Sequence, residues 1–243
     1  MRALMIPLLL SLLAPPRVAR THAEASSPSA VVVPQSPLAT PAVRYAALDR
    51  ATCEDELRRR RIPFVPVAQA RGVLAPVRLA GPLHGVTYHS ALPAKQRATS
   101  PYEILDCRLV LALDDFSTIL AKHDIVEVIH FSVYRPPNAH FPAGRLAHQH
   151  AGALAIDAGW FKHKDGSVLQ VERDFHGRIG ARTCGPGTGP SPATPAALEL
   201  RSIACEAAGD HLFNVELTPD YNWPHRNHFH LEVTPQVHWF LVH

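Results

Sequence analysis

The sequence predicts an α+β fold, with a small, mostly antiparallel sheet and helices flanking it. Three patterns over its 243 residues point there. Short apolar runs bounded by Pro, Gly or Asn read as strands. One longer stretch repeats apolar residues at near 3.6 spacing and another opens with a Thr-Pro pair, and both read as helix. Two histidine clusters, far apart in the chain, each adjoin a strand-like run.

Residues 1–25 read as a secretory signal. Arg2 supplies the positive end, Ala3 to Ala14 a short apolar core, and Ala23-Glu24-Ala25 the small-residue cleavage site. That core is too short to span a bilayer, and no later stretch reaches about 20 apolar residues, so no transmembrane segment is expected beyond the signal. The net charge of +3 falls to +1 once three arginines and one glutamate leave with the signal. Without a concentrated basic stripe, nucleic acid is not an expected partner. Residues 26–42 carry Pro28, Pro34, Pro37 and Pro41 and read as an extended linker that need not fold. Residues 43–243 then form one domain, long enough for its own core and expected to be a monomer.

Four cysteines in an exported chain favour two disulfides. Three pairings are possible, and the nearest-neighbour set, Cys53–Cys107 and Cys184–Cys205, is preferred because it ties down two loop-rich segments. No two cysteines stand at CxxC spacing, which disfavours a cysteine metal site. The run Arg58 to Arg61 reads as a solvated helix face rather than a contact for anionic polymer.

Val73 to Tyr88 reads as weak strands interrupted by Pro76, Gly81 and Gly85. Tyr102 to His123 reads as a helix entered through Pro101, with Asp114 and Asp115 on its wet side. Ile125 to Tyr134 is a strand that stops at Arg135-Pro136-Pro137. Leu154 to Phe161 is a strand carrying Asp157 inward, and Lys164-Asp165-Gly166 turns the chain into Val168 to Val171. Residues 184–195 form a Gly- and Pro-rich loop beside the expected cleft. Thr194-Pro195 opens a helix through Cys205, and Leu212 to Leu217 with Phe229 to Val233 complete the sheet. Trp223 and Trp239 read as packing residues.

The chemistry lies in His148-Gln149-His150 through Asp157, and in His225-Arg226-Asn227-His228-Phe229-His230. On a strand, His228 and His230 share a face about 7 Å apart while Phe229 takes the other. His150 and Asp157 would be about 10.5 Å apart on a straight helix and about 23 Å apart on a straight strand. Sharing one ion therefore requires a bend, expected at Gly152 among small alanines. His150, Asp157 and one histidine of the second cluster would give three N/O ligands and leave a position for water. That is the composition of a catalytic zinc site set in a metal-binding cleft. Sixteen histidines also make some close pairs by chance, and on chemistry alone the two readings weigh about equally.

The two clusters resemble the zinc D-Ala-D-Ala peptidases and related peptidoglycan endopeptidases, whose motifs are S-x-H-x-x-G-x-A-x-D and H-x-H. They also resemble the extensin-like C-terminal domain family of exported proteins. His150, Ala151, Ala155, Ile156 and Asp157 match that family's first run, and His225, His228, Phe229 and His230 its second. The likeness extends from about Cys53 to Val233. His148 replaces the usual Ser, and Ala153 the usual Gly, with a glycine one place earlier at Gly152.

The resemblance implies Zn2+ held by His150, Asp157 and His230. It also implies that His225 and His228 orient or deprotonate the zinc water, and that Arg135 grips a substrate carboxylate or oxyanion. The expected protein is a periplasmic or secreted hydrolase of peptide bonds in peptidoglycan, acting on its peptide stems as a carboxypeptidase or endopeptidase. Two rivals stand beside it. One is a non-catalytic wall-binding domain that keeps the fold. The other is a histidine-rich metal carrier, for which His84, His89, His123, His130, His140, His163 and His176 would also matter.

Overall fold

The computed structural model describes residues 31–243, so the expected signal at 1–25 lies outside the described residues. The first elements are β1 (Val31–Val32), α1 (Pro41–Ala46), α2 (Arg50–Arg59), β2 (Phe64–Pro66), β3 (Pro76–Leu79) and β4 (Thr87–Ser90). Next come α3 (Ala94–Arg97), β5 (Leu105–Asp106), α4 (Cys107–Lys122), β6 (Ile125–His130) and β7 (Ala155–His163). The chain ends with β8 (Val168–Gln170), α5 (Val171–Asp174), α6 (Pro195–Gly209), β9 (Val215–Leu217), β10 (Phe229–Glu232) and β11 (Phe240–Val242).

The fold mixes sheet and helix as expected, but the sheet is not small. Eight strands run in the order β1-β11-β9-β10-β7-β6-β4, with β8 paired to β7. Most pairs are antiparallel; β4–β6 and β9–β11 are parallel. A second sheet of three strands, β2-β3-β5, was not expected. In β10, Phe229 and Leu231 are buried in the core while His230 and Glu232 point to the other face, as strand alternation requires.

One irregularity in β7 decides what shows on that other face. Ile129 pairs with Trp160 but His130 pairs with Ala158, so Gly159 is an extra residue in the ladder. The bulge lets Ile156, Ala158 and Phe161 all serve the core. Its lack of a side chain matters, because a Cβ on Gly159 would stand 2.6 Å from the Phe131 ring.

Helix α4 supplies Leu109, Leu113, Phe116 and Leu120 to the core, where Phe116 meets Phe213 edge-on. It begins at Cys107, five residues later than the periodicity suggested. Leu105 and Asp106 pair with β3 instead, Asp106 caps the helix through the Arg108 N–H, and Pro101 opens only a 3-10 turn. Asp114 and Asp115 are not a wet face. Both accept from Arg60 Nη1, at 3.0 and 2.8 Å, and Tyr45 also bonds Asp115. Arg58 and Arg59 remain on the outside, paired with Glu54, Asp55 and Glu56 of their own helix.

Of the expected linker, residues 31–42 are among the described ones. Val31 and Val32 pair with Leu241 and Phe240, because the prolines flank this short edge strand rather than interrupt it. The expected domain boundary at residue 43 falls inside α1, whose Ala42 and Val43 pack with Phe240. Both preferred disulfides are formed, Cys53–Cys107 fastening α2 to α4, and Cys184–Cys205 fastening the Gly/Pro-rich loop to α6. Among the described residues, no helix is long and apolar enough to cross a membrane.

Candidate metal centre

Asp157 and His230 face each other in register across β7 and β10. His150 reaches them from a 3-10 turn, Gln149–Gly152, whose exit at Ala153 bends the chain through a left-handed residue with φ 54° and ψ 29°. The bend thus sits one residue after the expected Gly152. Gly152 instead provides clearance, since a Cβ there would collide with the Ala147 carbonyl oxygen. The turn therefore passes too close to the backbone for any side chain.

Three ligand atoms converge. His150 Nε2 lies 3.0 Å from Asp157 Oδ1, His230 Nδ1 lies 3.1 Å from the same oxygen, and the two nitrogens are 3.3 Å apart. Ligand atoms bound tetrahedrally at ~2.0–2.1 Å from zinc stand about 3.3–3.4 Å apart, so this triangle is close to the size an ion needs. All three side chains are buried.

The second nitrogen of each histidine is also engaged. His150 Nδ1–H donates to the Val133 carbonyl at 2.8 Å, leaving its Nε2 lone pair to face the triangle. His230 Nε2 lies 3.3 Å from Glu232 Oε2, and Glu232 is fixed in turn by the Thr234 hydroxyl at 2.9 Å. Such outer acceptors are what orient metal-binding imidazoles. Asp157 Oδ2 accepts from Ser132 Oγ at 3.0 Å and Arg135 Nη2 at 3.1 Å, which turns Oδ1 inward.

His228 and His225 sit beside this triangle and form a second set of three with His230. His228 Nε2 is 3.2 Å from Asp157 Oδ1, and its Nδ1 is 2.8 Å from Asn227 Oδ1. His225 Nδ1 is held at 2.6 Å by Asn222 Oδ1, the cap of the 3-10 turn Trp223–His225. Arg135 is tied to Asp157 and its side chain is still 56% exposed, so its remaining N–H groups face outward.

Charge is strongly biased here. Burial pushes the Asp157 carboxyl up, but the imidazoles of His150, His228 and His230 around it outweigh that and hold it well below the usual range. Burial likewise disfavours a charge on His230, yet Asp157 and Glu232 together raise it to about 9. His225 is lowered to about 4 by burial and by the neighbouring His228 and His230.

The sequence reading missed Glu232, Ser132 and the bulge at Gly159. Glu232 had a signal, since it lies two residues beyond His230 on the same strand face. Trp223 is not a packing residue: it is 66% exposed, with the Arg226 guanidinium 4.5 Å above its ring. The wider clefts, about 670 Å³ beside His123 and His163 and about 810 Å³ beside Arg78 and His130, lie off the donor triangle.

A family model described as extensin-like protein C-terminus matches residues 52–241. No curated protein and no solved structure matches the chain.

Proposed function

The chain belongs to the extensin-like protein C-terminus family, and from that footing we propose that it is an exported zinc-dependent hydrolase of peptide bonds in peptidoglycan, a carboxypeptidase or endopeptidase. One observation carries the reading: the buried triangle of His150, Asp157 and His230, with each histidine's other nitrogen already engaged by an oxygen acceptor. The zinc D-Ala-D-Ala peptidase motifs, matched at His150, Ala155, Asp157, His228 and His230, supply the substrate class.

Those three residues would hold the ion through two nitrogens and one oxygen. Bound there, zinc supplies a water acidified to near neutrality and polarises the carbonyl to be cleaved. His225 stays neutral at pH 7, because burial and its histidine neighbours keep its pKa near 4, and Asn222 fixes its ring. It can therefore accept a hydrogen bond without adding a second cation beside His230. His228 stands within 3.2 Å of Asp157 and offers a further imidazole to the reacting groups. Arg135 braces Asp157 with one nitrogen and has others free for a carboxylate or oxyanion. Its exposure suits a group that meets substrate.

The test is one preparation assayed for bound metal and for products released from purified peptidoglycan. One zinc per chain with released peptide or amino acid supports the proposal. Zinc without turnover selects the wall-binding domain, and more than one metal per chain selects the carrier. Against the carrier, the two donor sets among the described residues both use His230, while His89, His123 and His163 pair with Glu127, Glu206 and Glu199.

A further inference from the structure

A cleft of about 810 Å³ opens at the β4 edge of the large sheet, lined by Arg78, His89, Arg97, Glu103, Glu127 and His130 among others. It lies off the metal triangle, and its polar groups are left in an unusual state. His130 is 2% exposed, and its Nδ1 has no hydrogen-bond partner. Its Nε2 is 3.9 Å from Glu103 Oε2, beyond bonding distance. The Nδ1 is the one buried without a partner, while Nε2 has no hydrogen-bond partner within the protein and is left for a group in the cleft.

The neighbouring charges are half used in the same way. Glu103 Oε1 accepts from the Ser90 backbone N–H and hydroxyl, leaving Oε2 open. Glu127 is neutralised by His89 at 2.7 Å and Lys162 at 3.2 Å. Arg78 donates only to the carbonyls of Arg97 and Ser100, and Arg97 makes no ion pair among the described residues. Among the described residues the cleft therefore presents two guanidiniums without a carboxylate partner, and one carboxylate oxygen without a hydrogen-bonded donor. A simple dianion would meet the open oxygen of Glu103 unfavourably. A plain carboxylate would leave Glu103 Oε2 and His130 unanswered.

We propose that this cleft binds a zwitterionic amino-acid group, its carboxylate on Arg97 and Arg78 and its ammonium on Glu103 Oε2 and His130 Nε2. The volume exceeds what one small amino acid fills, so the group fits either as a free amino acid or as the unlinked amino-acid end of a diaminopimelate side chain within a peptide. Burial keeps His130 uncharged, with a pKa near 3, so it can accept from the ammonium without repelling it.

Calorimetric titration of the full chain with alanine, alaninamide, N-acetylalanine and a tripeptide bearing diaminopimelate tests the assignment. Alanine or the tripeptide should bind saturably, and each capped analogue should bind about ten- to a hundredfold more weakly, as expected for loss of a charge-assisted hydrogen bond. Tighter binding of the tripeptide identifies a peptide as the source; binding of alanine alone identifies the free amino acid. Arg97→Ala, at a half-exposed position on the four-residue helix α3, and Glu103→Gln should each weaken binding by a similar factor while thermal stability changes little. Capped and uncapped probes binding alike, unchanged affinity in both variants, or no saturation below about 10 mM would each overturn the proposal. None of these readouts depends on zinc or on wall hydrolysis.

Discussion

Asp157 on β7 and His230 on β10 are direct cross-strand partners, and the 3.1 Å between Oδ1 and Nδ1 is set by the ladder that holds their backbones. A donor pair built into sheet register needs little ordering when an ion arrives, which favours tight binding. Asp157→Ala and His230→Ala should each remove one of three buried donors and abolish stoichiometric zinc. Metal analysis after dialysis is the measurement. Retention of one tightly held zinc by both variants would show that the centre lies elsewhere.

His230 also makes metal binding depend on pH. Its pKa rises from the usual value near 6.5 to about 9 in the metal-free chain, because Asp157 and Glu232 favour its cation. A folded pKa above the unfolded one contributes stability that is complete below about pH 6.5 and is lost as pH climbs through about 9. Zinc competes with the Nδ1 proton for the same lone pair. Apparent zinc affinity should therefore increase about tenfold per pH unit from 7 towards 9 and then level off. A flat profile in a competition titration would mean that His230 is not protonated in the metal-free centre.

The second cluster separates ligand from helper. Asn222 already holds His225 Nδ1, and His225 is absent from the buried set. His225→Ala and His228→Ala should keep zinc and lower turnover on peptidoglycan by about 10²–10⁴. Zinc content and turnover are read on the same samples. If His228→Ala loses metal as readily as His230→Ala, its 3.2 Å approach to Asp157 marks a fourth ligand.

The disulfides close loops of unequal length, with sequence separations of 54 and 21. Loop entropy gives about 4 kcal/mol for Cys53–Cys107 and about 3 kcal/mol for Cys184–Cys205. Paired Cys→Ser variants compared by urea unfolding should rank in that order. The reverse ranking would mean that packing around α6, rather than loop closure, governs the second bridge. Thiol titration of denatured, unreduced protein should find no free thiol.

The sequence disclosed what local periodicity encodes and little of what long-range pairing decides. The ligand residues were legible because histidine spacing on β10 follows the strand period, and because a carboxylate seven residues after His150 demanded a bend. The start of α4 was not legible, since the apolar repeat runs through Leu105 although that residue pairs with β3. Arg60 looked like one of four surface arginines, and only its approach to Asp114 and Asp115 from another helix distinguishes it. The bulge at Gly159 and the β1–β11 pairing likewise depend on partners distant in sequence.

The bend itself gives the sharpest test, because two adjacent small residues divide the work in a way that reverses the simplest expectation. Ala153 carries the left-handed conformation, in which an L-residue is strained by roughly 1–2 kcal/mol. Its methyl is fully buried, which returns about 0.8 kcal/mol. Ala153→Gly should therefore leave stability within about 1 kcal/mol of the parent and retain zinc. Gly152 has no left-handed φ, so the usual argument for glycine does not apply to it. What it needs is space: an added Cβ would run into the Ala147 oxygen and stand 2.9 Å from its carbonyl carbon, and neither backbone atom can swing aside. Gly152→Ala should cost about 2 kcal/mol or more and shift His150, two residues upstream, out of the triangle. Urea unfolding and zinc stoichiometry on the two variants decide between these roles. If Gly152→Ala is stable and metal-replete while Ala153→Gly is not, the turn owes its shape to Ala153 packing rather than to close passage over Ala147.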